Sequence, residues 1–295
     1  MENRLNDVLA LVPLTDEGKV VLTQAMNLQK LVPYRIFVLN VIPSAPALER
    51  LFGSPKVKSI KEEEALKKLT SFLKDFYGGE IPDNVIPLIL KGKLVRTLIK
   101  QAQIGDFYFL VLKRSPHKKG FGNLLNQNEM EKVIAHSYIP VLSVNEGSSP
   151  EKLKNILVPV DISGNTEKKL LWASLFAKKA MAKIQIVSAL NINLDEHKSL
   201  TAQNASAIRK MLEERGIESE VEILKVNEMD RFETVLNYIE TKNTDMVVIR
   251  KHQIASYKNT TIGDFAKEII RRSKVPVFIV SQSQSDISNI LHKHL

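Results

Sequence analysis

Short apolar runs alternate along this chain with longer segments whose apolar residues recur at helical spacing. In the second half, residues 156–160 form a nearly continuous apolar run, as expected of a strand buried on both faces of a parallel sheet. The segment that follows places Leu170, Ala173, Ala177 and Met181 on one side of a helix. This alternation predicts parallel α/β sheets with right-handed crossovers.

The same pattern predicts five strands and four helices in each half. We expect strands at 8–14, 35–42, 85–90, 107–112 and 141–144, and again at 156–160, 184–190, 219–225, 245–249 and 277–280. We expect one helix between the first two strands of each half, and others at 60–77, 94–103, 128–137, 196–215, 231–242 and 263–273. The predicted fold class is therefore α/β, with two tandem, doubly wound, five-stranded parallel sheets.

Two sequence patterns occur twice, which indicates a duplicated domain. Leu11-Val12-Pro13-Leu14-Thr15 returns 146 residues later as Leu157-Val158-Pro159-Val160-Asp161, and residues 139–144 return 136 residues later as 275–280. We predict a first domain at 1–145, a turn-rich linker at 146–152, a second domain at 153–281 and a polar tail at 282–295.

Composition narrows the classes of function. The 295 residues include no cysteine, which excludes disulfides, thiolate metal sites and a cysteine nucleophile. The net charge of +9 is spread in small groups without interleaved aromatic residues, so we predict no nucleic-acid partner. No stretch approaches the ~20 apolar residues of a membrane span, and no signal-peptide pattern is present. The histidines lack the spacing of a metal site, so we expect no metal. The lack of cysteine, of a membrane span and of a signal peptide favours a cytoplasmic protein.

Three segments of the second half resemble the universal stress protein family. They are Val158-Pro159-Val160-Asp161-Ile162-Ser163, Asp245-Met246-Val247-Val248-Ile249 and the close from Arg272 to Val280. The resemblance covers residues 153–281, and covers 5–145 more weakly. It implies the fold predicted above, a role in the stress response, and pairing of 141–144 with 277–280, so that the two domains form an internal pseudo-dimer. A further homodimer stays open.

The resemblance also implies where ATP would bind. Members that bind ATP carry a loop of the form G-x-x-G-x9-G-[ST] after the fourth strand, whose N–H groups cradle phosphates, and an aspartate after the first strand. The proline before the last strand of each copy is Pro140 in the first and Pro276 in the second. Counting back from these prolines places the loop in each copy. The second copy has Arg250, Gln253, Gly263 and Asp264 at these positions; the first has Arg114, His117, Gln127 and Asn128. The aspartate positions hold Asp161 and Thr15.

The degenerate loop changes the functional prediction. We expect Asp264 to be a helix N-cap whose carboxylate repels phosphate, and therefore no ATP binding through the family loop and no cofactor. We place any ligand in a second-domain cleft formed by Pro159, Val160, Asp161 and Gly263. Asp161 could equally be a turn or cap residue.

Three functions stay open. The first is non-catalytic binding of a small ligand or protein partner. The second is a nucleotide-binding switch or weak ATPase in which Arg114, Lys118, Arg250 and Lys251 contact phosphates. The third is a structural assembly module. The patch Gly120-Phe121-Gly122-Asn123 is either an anion cradle or a flexible turn.

Overall fold

Eighteen helices and strands alternate in the computed structural model, in the order that the sequence predicts. It describes residues 6–44, 55–105, 107–115, 122–145, 153–160, 167–191, 195–226, 231–251 and 261–281. The first half contains β1 (Asn6–Leu11), α1 (Asp16–Gln29), β2 (Tyr34–Ile42), α2 (Pro55–Tyr77), β3 (Val85–Lys91), α3 (Leu94–Ile104), β4 (Phe107–Lys113), α4 (Gln127–His136) and β5 (Val141–Val144).

The second half repeats this series of elements. It contains β6 (Asn155–Pro159), α5 (Glu167–Ala180), β7 (Lys183–Asn191), α6 (Asp195–Glu214), β8 (Ser219–Val226), α7 (Arg231–Thr241), β9 (Met246–Arg250), α8 (Asp264–Arg272) and β10 (Val277–Val280). Each half thus supplies five strands and four helices among its described residues.

The ten strands form one continuous sheet rather than two separate ones. Their order is β3-β2-β1-β4-β5-β10-β9-β6-β7-β8, so both halves have the same internal order. Every pair within a half is parallel, whereas β5 and β10 pair antiparallel, with Val141 opposite Ile279 and Ser143 opposite Val277. The predicted pairing of 141–144 with 277–280 is therefore present. The strand order reverses between β1 and β4 and between β6 and β9, where ligands bind in such sheets.

The register of the paired strands aligns the two halves differently from the sequence repeat. Leu9 pairs with Leu110, which pairs with Val141, and Leu157 pairs with Val247, which pairs with Val277. Leu9 therefore corresponds to Leu157. Counting four residues on from each, Pro13 takes the position of Asp161 in the chain. The prediction that Thr15 holds the Asp161 position is wrong by two residues.

The same register corrects the loop positions of the first half. Lys113 pairs with Val144 as Arg250 pairs with Val280, so Lys113 corresponds to Arg250 and Arg114 to Lys251. The prediction paired Arg114 with Arg250 because it assumed loops of equal length. The first-half segment between β4 and the closing proline is one residue longer.

Apolar residues fill both faces of the sheet, and one core is shared by the halves. One face packs against α1, α2, α5 and α6, the other against α3, α4, α7 and α8. On the first face, Phe109 of β4 lies 5.6 Å from Phe278 of β10 and 6.3 Å from Trp172 of α5, measured between ring centroids. This edge-to-face aromatic cluster joins the first half to the second without a break in packing.

Candidate functional site

The first-half crevice, at the carboxyl ends of β1 and β2, is filled by the chain's own side chains. Asn40 donates from Nδ2 to the carbonyl of Val12 at 2.9 Å. Asn123, which follows β4, accepts from the N–H of Val41 at 2.6 Å and donates to the carbonyl of Val41 at 3.2 Å. Both asparagines are buried. The carboxamides of Asn40 and Asn123 thus form hydrogen bonds with backbone groups to which a ligand at this edge would otherwise bond.

The segment that carries Asn123 is fixed in place. Gly122 has φ +60°, a left-handed conformation that glycine adopts without strain, and the carbonyl of Leu125 accepts from the N–H of Ser115 at 2.8 Å. Leu124 and Leu125 are both buried. Within its described part, the glycine-rich patch is neither an anion cradle nor a flexible turn. It is an anchored segment packed over β2.

Helix α4 begins behind this segment with its N-terminus already capped. Asn126 is the N-cap and accepts from the N–H of Glu129 at 3.0 Å, while the Glu129 carboxylate accepts from the N–H of Asn126 at 2.9 Å. This capping box satisfies two N–H groups and places a negative charge where a phosphate would need positive potential. Gln127 accepts from Arg114 at 3.3 Å, and Asn128 is exposed on the helix surface.

The corresponding strand ends of the second half hold Val160, Ser188, Ala189 and Arg250, and we call this edge the second-half crevice. None of these four residues is an asparagine, and the segment that corresponds to Asn123 falls within 252–260, outside the described residues. By strand register, Ser188 stands where Asn40 does and Ala189 where Val41 does. The Ser188 hydroxyl is buried and has no hydrogen-bond partner among the described residues. Ala189 is only partly buried, whereas Val41 is covered. Serine and alanine are both smaller than the asparagine and valine that they replace.

Cations surround this crevice. Lys169 of α5 is fully buried and donates from Nζ to the carbonyl of Pro159, the last residue of β6, at 2.6 Å. Arg250 is buried at the end of β9. The pKa of Lys168 is lowered, first by burial and then by the charge of Arg250 nearby. A like charge nearby disfavours the charged form of this lysine.

Lys251, by contrast, points away from the crevice. Its Nζ donates to the carbonyls of Ala135 at 3.2 Å and Ser137 at 2.5 Å, at the C-terminal end of α4 in the first half. Burial lowers the pKa of Lys251 to about 8. Its direction excludes Lys251 as a phosphate ligand in the present conformation.

Helix α8 starts at the crevice with Gly263 as its N-cap. The Gly263 N–H donates to the carbonyl of Lys251 at 2.8 Å, and no side chain caps the helix. Asp264 is the first helical residue, almost fully exposed, and lies 3.4 Å from the ammonium of Lys267. The prediction that Asp264 is the N-cap is therefore wrong, because the contact with Lys251 fixes Gly263 at that position and turns the Asp264 carboxylate to solvent.

Comparison with known proteins assigns the second half to a family. Residues 152–281 match the model of the universal stress protein family. This half of the chain is a universal stress protein domain. A universal stress protein from Archaeoglobus fulgidus is similar in structure over 93% of this chain and 96% of its own, with a TM-score of 0.64 and 19% identity.

Two proteins from Pseudomonas aeruginosa have the same fold. One, described as a universal stress protein, is similar over 98% of this chain and 97% of its own, with a TM-score of 0.64 and 17% identity. The other, described as functionally unknown, is similar over 98% and 96%, with a TM-score of 0.61 and 17% identity. At these identities the likeness establishes the fold over both halves. No curated protein matches the sequence.

Four residues of the predicted site of the universal stress protein domain lie within the described part of the chain. Pro159, Val160, Arg250 and Gly263 lie at the ends of β6 and β9 and at the start of α8. Asp161, His117, Lys118 and Gln253 lie outside the described residues. Over the part of the chain that is described, no cluster of three His, Cys, Asp or Glu side chains could hold a metal ion, and no helix is long and apolar enough to cross a membrane.

Sequence reasoning missed several residues of both crevices. Asn40, Lys168, Lys169 and Ser188 were not predicted, and Asn123 was noted only as part of a glycine-rich patch. Lys168 and Lys169 lie in the first turn of α5, where charged residues are typical of a solvated helix start. The sequence therefore provides no signal that they belong to a site. The one available signal was the asparagine in β2, which is an unfavourable residue in a buried strand unless its amide is bonded.

Proposed function

We propose that this protein acts in the cytoplasmic stress response by binding a small anionic ligand or a partner, without catalysis, and that the second-half crevice is the binding site. One comparison supports this proposal most strongly. Asn123 occupies both backbone polar groups of Val41 in the first half, whereas the corresponding Ala189 is partly exposed beside an unbonded Ser188 hydroxyl. This difference between the described residues supports the second half as the binding half.

The charges around the crevice support an anion as the ligand. Lys169 reaches the end of β6, and Arg250 lies close enough to Lys168 for its charge to lower the pKa of that lysine. An anionic group between Lys168 and Arg250 would remove their repulsion, and it would be held by side chains rather than by a row of glycine N–H groups.

The start of α8 supports the proposal that ATP does not bind through the family loop. The helix N-terminus has no side-chain cap, which favours an anion, but Asp264 places a carboxylate in the first turn. The family loop needs a hydroxyl at this position and glycines at positions that hold Arg250 and Gln253. We therefore propose that the glycine cradle is absent.

A nucleotide-binding switch is the second candidate. The approach of Lys168 to Arg250 favours it, because two cations at a strand end could hold a phosphate chain in place of the loop. Arg114 and Lys251, predicted for this role, are instead bonded to Gln127 and to the end of α4.

Calorimetry with ATP plus magnesium, ADP and inorganic pyrophosphate tests both candidates. We expect at least one anion to bind the wild type, with binding lost in Arg250→Gln. The matched control is Arg114→Gln, which removes a first-half arginine whose side chain donates to Gln127 of its own half. This variant should bind as the wild type does.

Two results would decide against the proposal. Low micromolar ATP binding that Asp161→Asn abolishes would show that the family mode persists. Failure of all three anions to bind, together with a stable dimer in light scattering, would favour the structural assembly module.

A further inference from the structure

Lys251 connects the second-half crevice to the first half. It follows Arg250 directly, and its carbonyl accepts from the N–H of Gly263, the N-cap of α8. Its side chain crosses to the first half and bonds the carbonyls of Ala135 and Ser137. With 8% of its surface exposed, it fixes the end of β9, the start of α8 and the end of α4 at one point.

Among the described residues, no lysine or arginine of the first half makes the equivalent contact with the second. The two halves do exchange one matched pair of bonds: Ser281 donates to the carbonyl of Ser137 at 3.2 Å, and Asn145 donates to the carbonyl of Ser273 at 2.5 Å. Ser137 and Ser273 are the C-caps of α4 and α8. The residue that corresponds to Lys251 is Arg114, whose side chain donates to Gln127 within its own half.

We infer that Lys251 is a coupling residue through which the first half responds to a ligand in the second-half crevice. A ligand on Arg250 and the start of α8 acts on the two backbone segments that Lys251 joins. A buried ammonium must keep its acceptors, because an ammonium without partners is strongly disfavoured away from water. The C-terminal end of α4 therefore follows the end of β9. The inference rests on the proposed function for the identity of the site.

Hydrogen exchange of the free protein tests the contact itself. We expect Lys251→Met to increase exchange both at 133–139 in the first half and at 261–267 in the second, because each segment loses its common anchor. Arg114→Met, the matched control, should change exchange only within the first half. Unchanged exchange at 133–139 in folded Lys251→Met would overturn the inference without any ligand.

Hydrogen exchange with the same three anions tests the coupling. We expect the anion that binds to protect 246–251 and 261–267, and also 133–139, in the wild type. In Lys251→Met the protection of 133–139 should be lost while that of the second half remains.

The outcomes separate the two proposals. Protection of the second half alone in the wild type, or protection of 133–139 that persists in Lys251→Met, would overturn the coupling and leave the proposed function standing. No protection by any of the three anions would overturn the proposed function, and the inference would fall with it. If Lys251→Met does not fold, Lys251→Gln serves as the variant, and the wild-type comparison still decides.

Discussion

The two halves of this protein contribute strands in the same order to one sheet. They differ in the residues at the carboxyl ends of those strands. In the first half, four residues connect β1 to α1, and a methyl group on Gly18 would lie 1.9 Å from the carbonyl oxygen of Pro13. In the second half, residues 161–166, which follow the end of β6, lie outside the described residues. The first-half edge is also the one where Asn40 and Asn123 bond the backbone, so the halves keep the strand positions and differ in the residues beyond them.

The halves also differ in how they use cations. Arg114 and its partners stay within the first half, whereas Lys251 of the second half reaches α4 of the first. The sheet is continuous and the aromatic cluster is shared, so the halves do not behave as independent domains in packing. Side chains at corresponding positions therefore make different contacts on the same scaffold, and our proposal assigns the ligand to the second half.

The largest expected effect concerns the shared core. Trp172→Ala removes a buried indole that packs against Phe109 of the first half and Phe278 of the second, and should lower the free energy of unfolding by about 3–5 kcal/mol. Circular dichroism in urea measures it. Met181→Ala, at a 94% exposed side chain, is the control and should change little. A loss confined to one of two separate transitions would show that the halves unfold independently.

The contact between the halves should depend on pH. The pKa of Lys251 is lowered from 10.5 to about 8, so between these values the unfolded chain binds more protons than the folded one, and stability rises with pH. Relative to Lys251→Met, the wild type should gain about 3 kcal/mol from pH 8 to pH 10.5. Urea unfolding of both proteins at several pH values measures this, and a constant difference would contradict it.

The two crevices should respond oppositely to loss of a polar side chain. Asn123→Ala leaves the N–H and carbonyl of Val41 without their partner and should cost about 1–3 kcal/mol. Ser188→Ala removes a buried hydroxyl that has no described partner and should be neutral or stabilising. Urea unfolding compares the two directly. Equal losses would show that the second crevice is as well satisfied as the first.

The smallest effect is expected at the start of α8. Asp264→Ser restores the hydroxyl of the family loop but removes an exposed carboxylate that lies 3.4 Å from Lys267. Stability should change by less than about 0.5 kcal/mol, as for most surface substitutions. Thermal unfolding measures the change. A larger loss would mean that Asp264 stabilises the helix start more than its exposure indicates.

Much of the fold could be predicted because each strand and helix has a strong local pattern. Residues 277–280 are apolar throughout and form β10 as expected, and the pairing with β5 follows from the resemblance. The register of β1 could not be predicted. The matching letters Leu-Val-Pro align the copies two residues away from where strand pairing places them, and that pairing joins β1 to the distant β4 and β6 to the distant β9.

The site was less predictable because its bonds join distant segments. Asn123 and Val41 are 82 residues apart, and Lys251 lies 114 residues from Ser137. No local pattern specifies such pairs in a single sequence. Asp264 illustrates the opposite error: its type and place suit an N-cap, yet a backbone bond from Gly263 to Lys251 starts the helix one residue earlier.

The number of anions bound per chain tests the central claim most directly. Native mass spectrometry with ATP, ADP and pyrophosphate should show one bound anion per chain, retained in Arg114→Gln and lost in Arg250→Gln. Two anions per chain, or binding lost in Arg114→Gln and kept in Arg250→Gln, would contradict the account that the first-half crevice is closed and the second accepts the ligand.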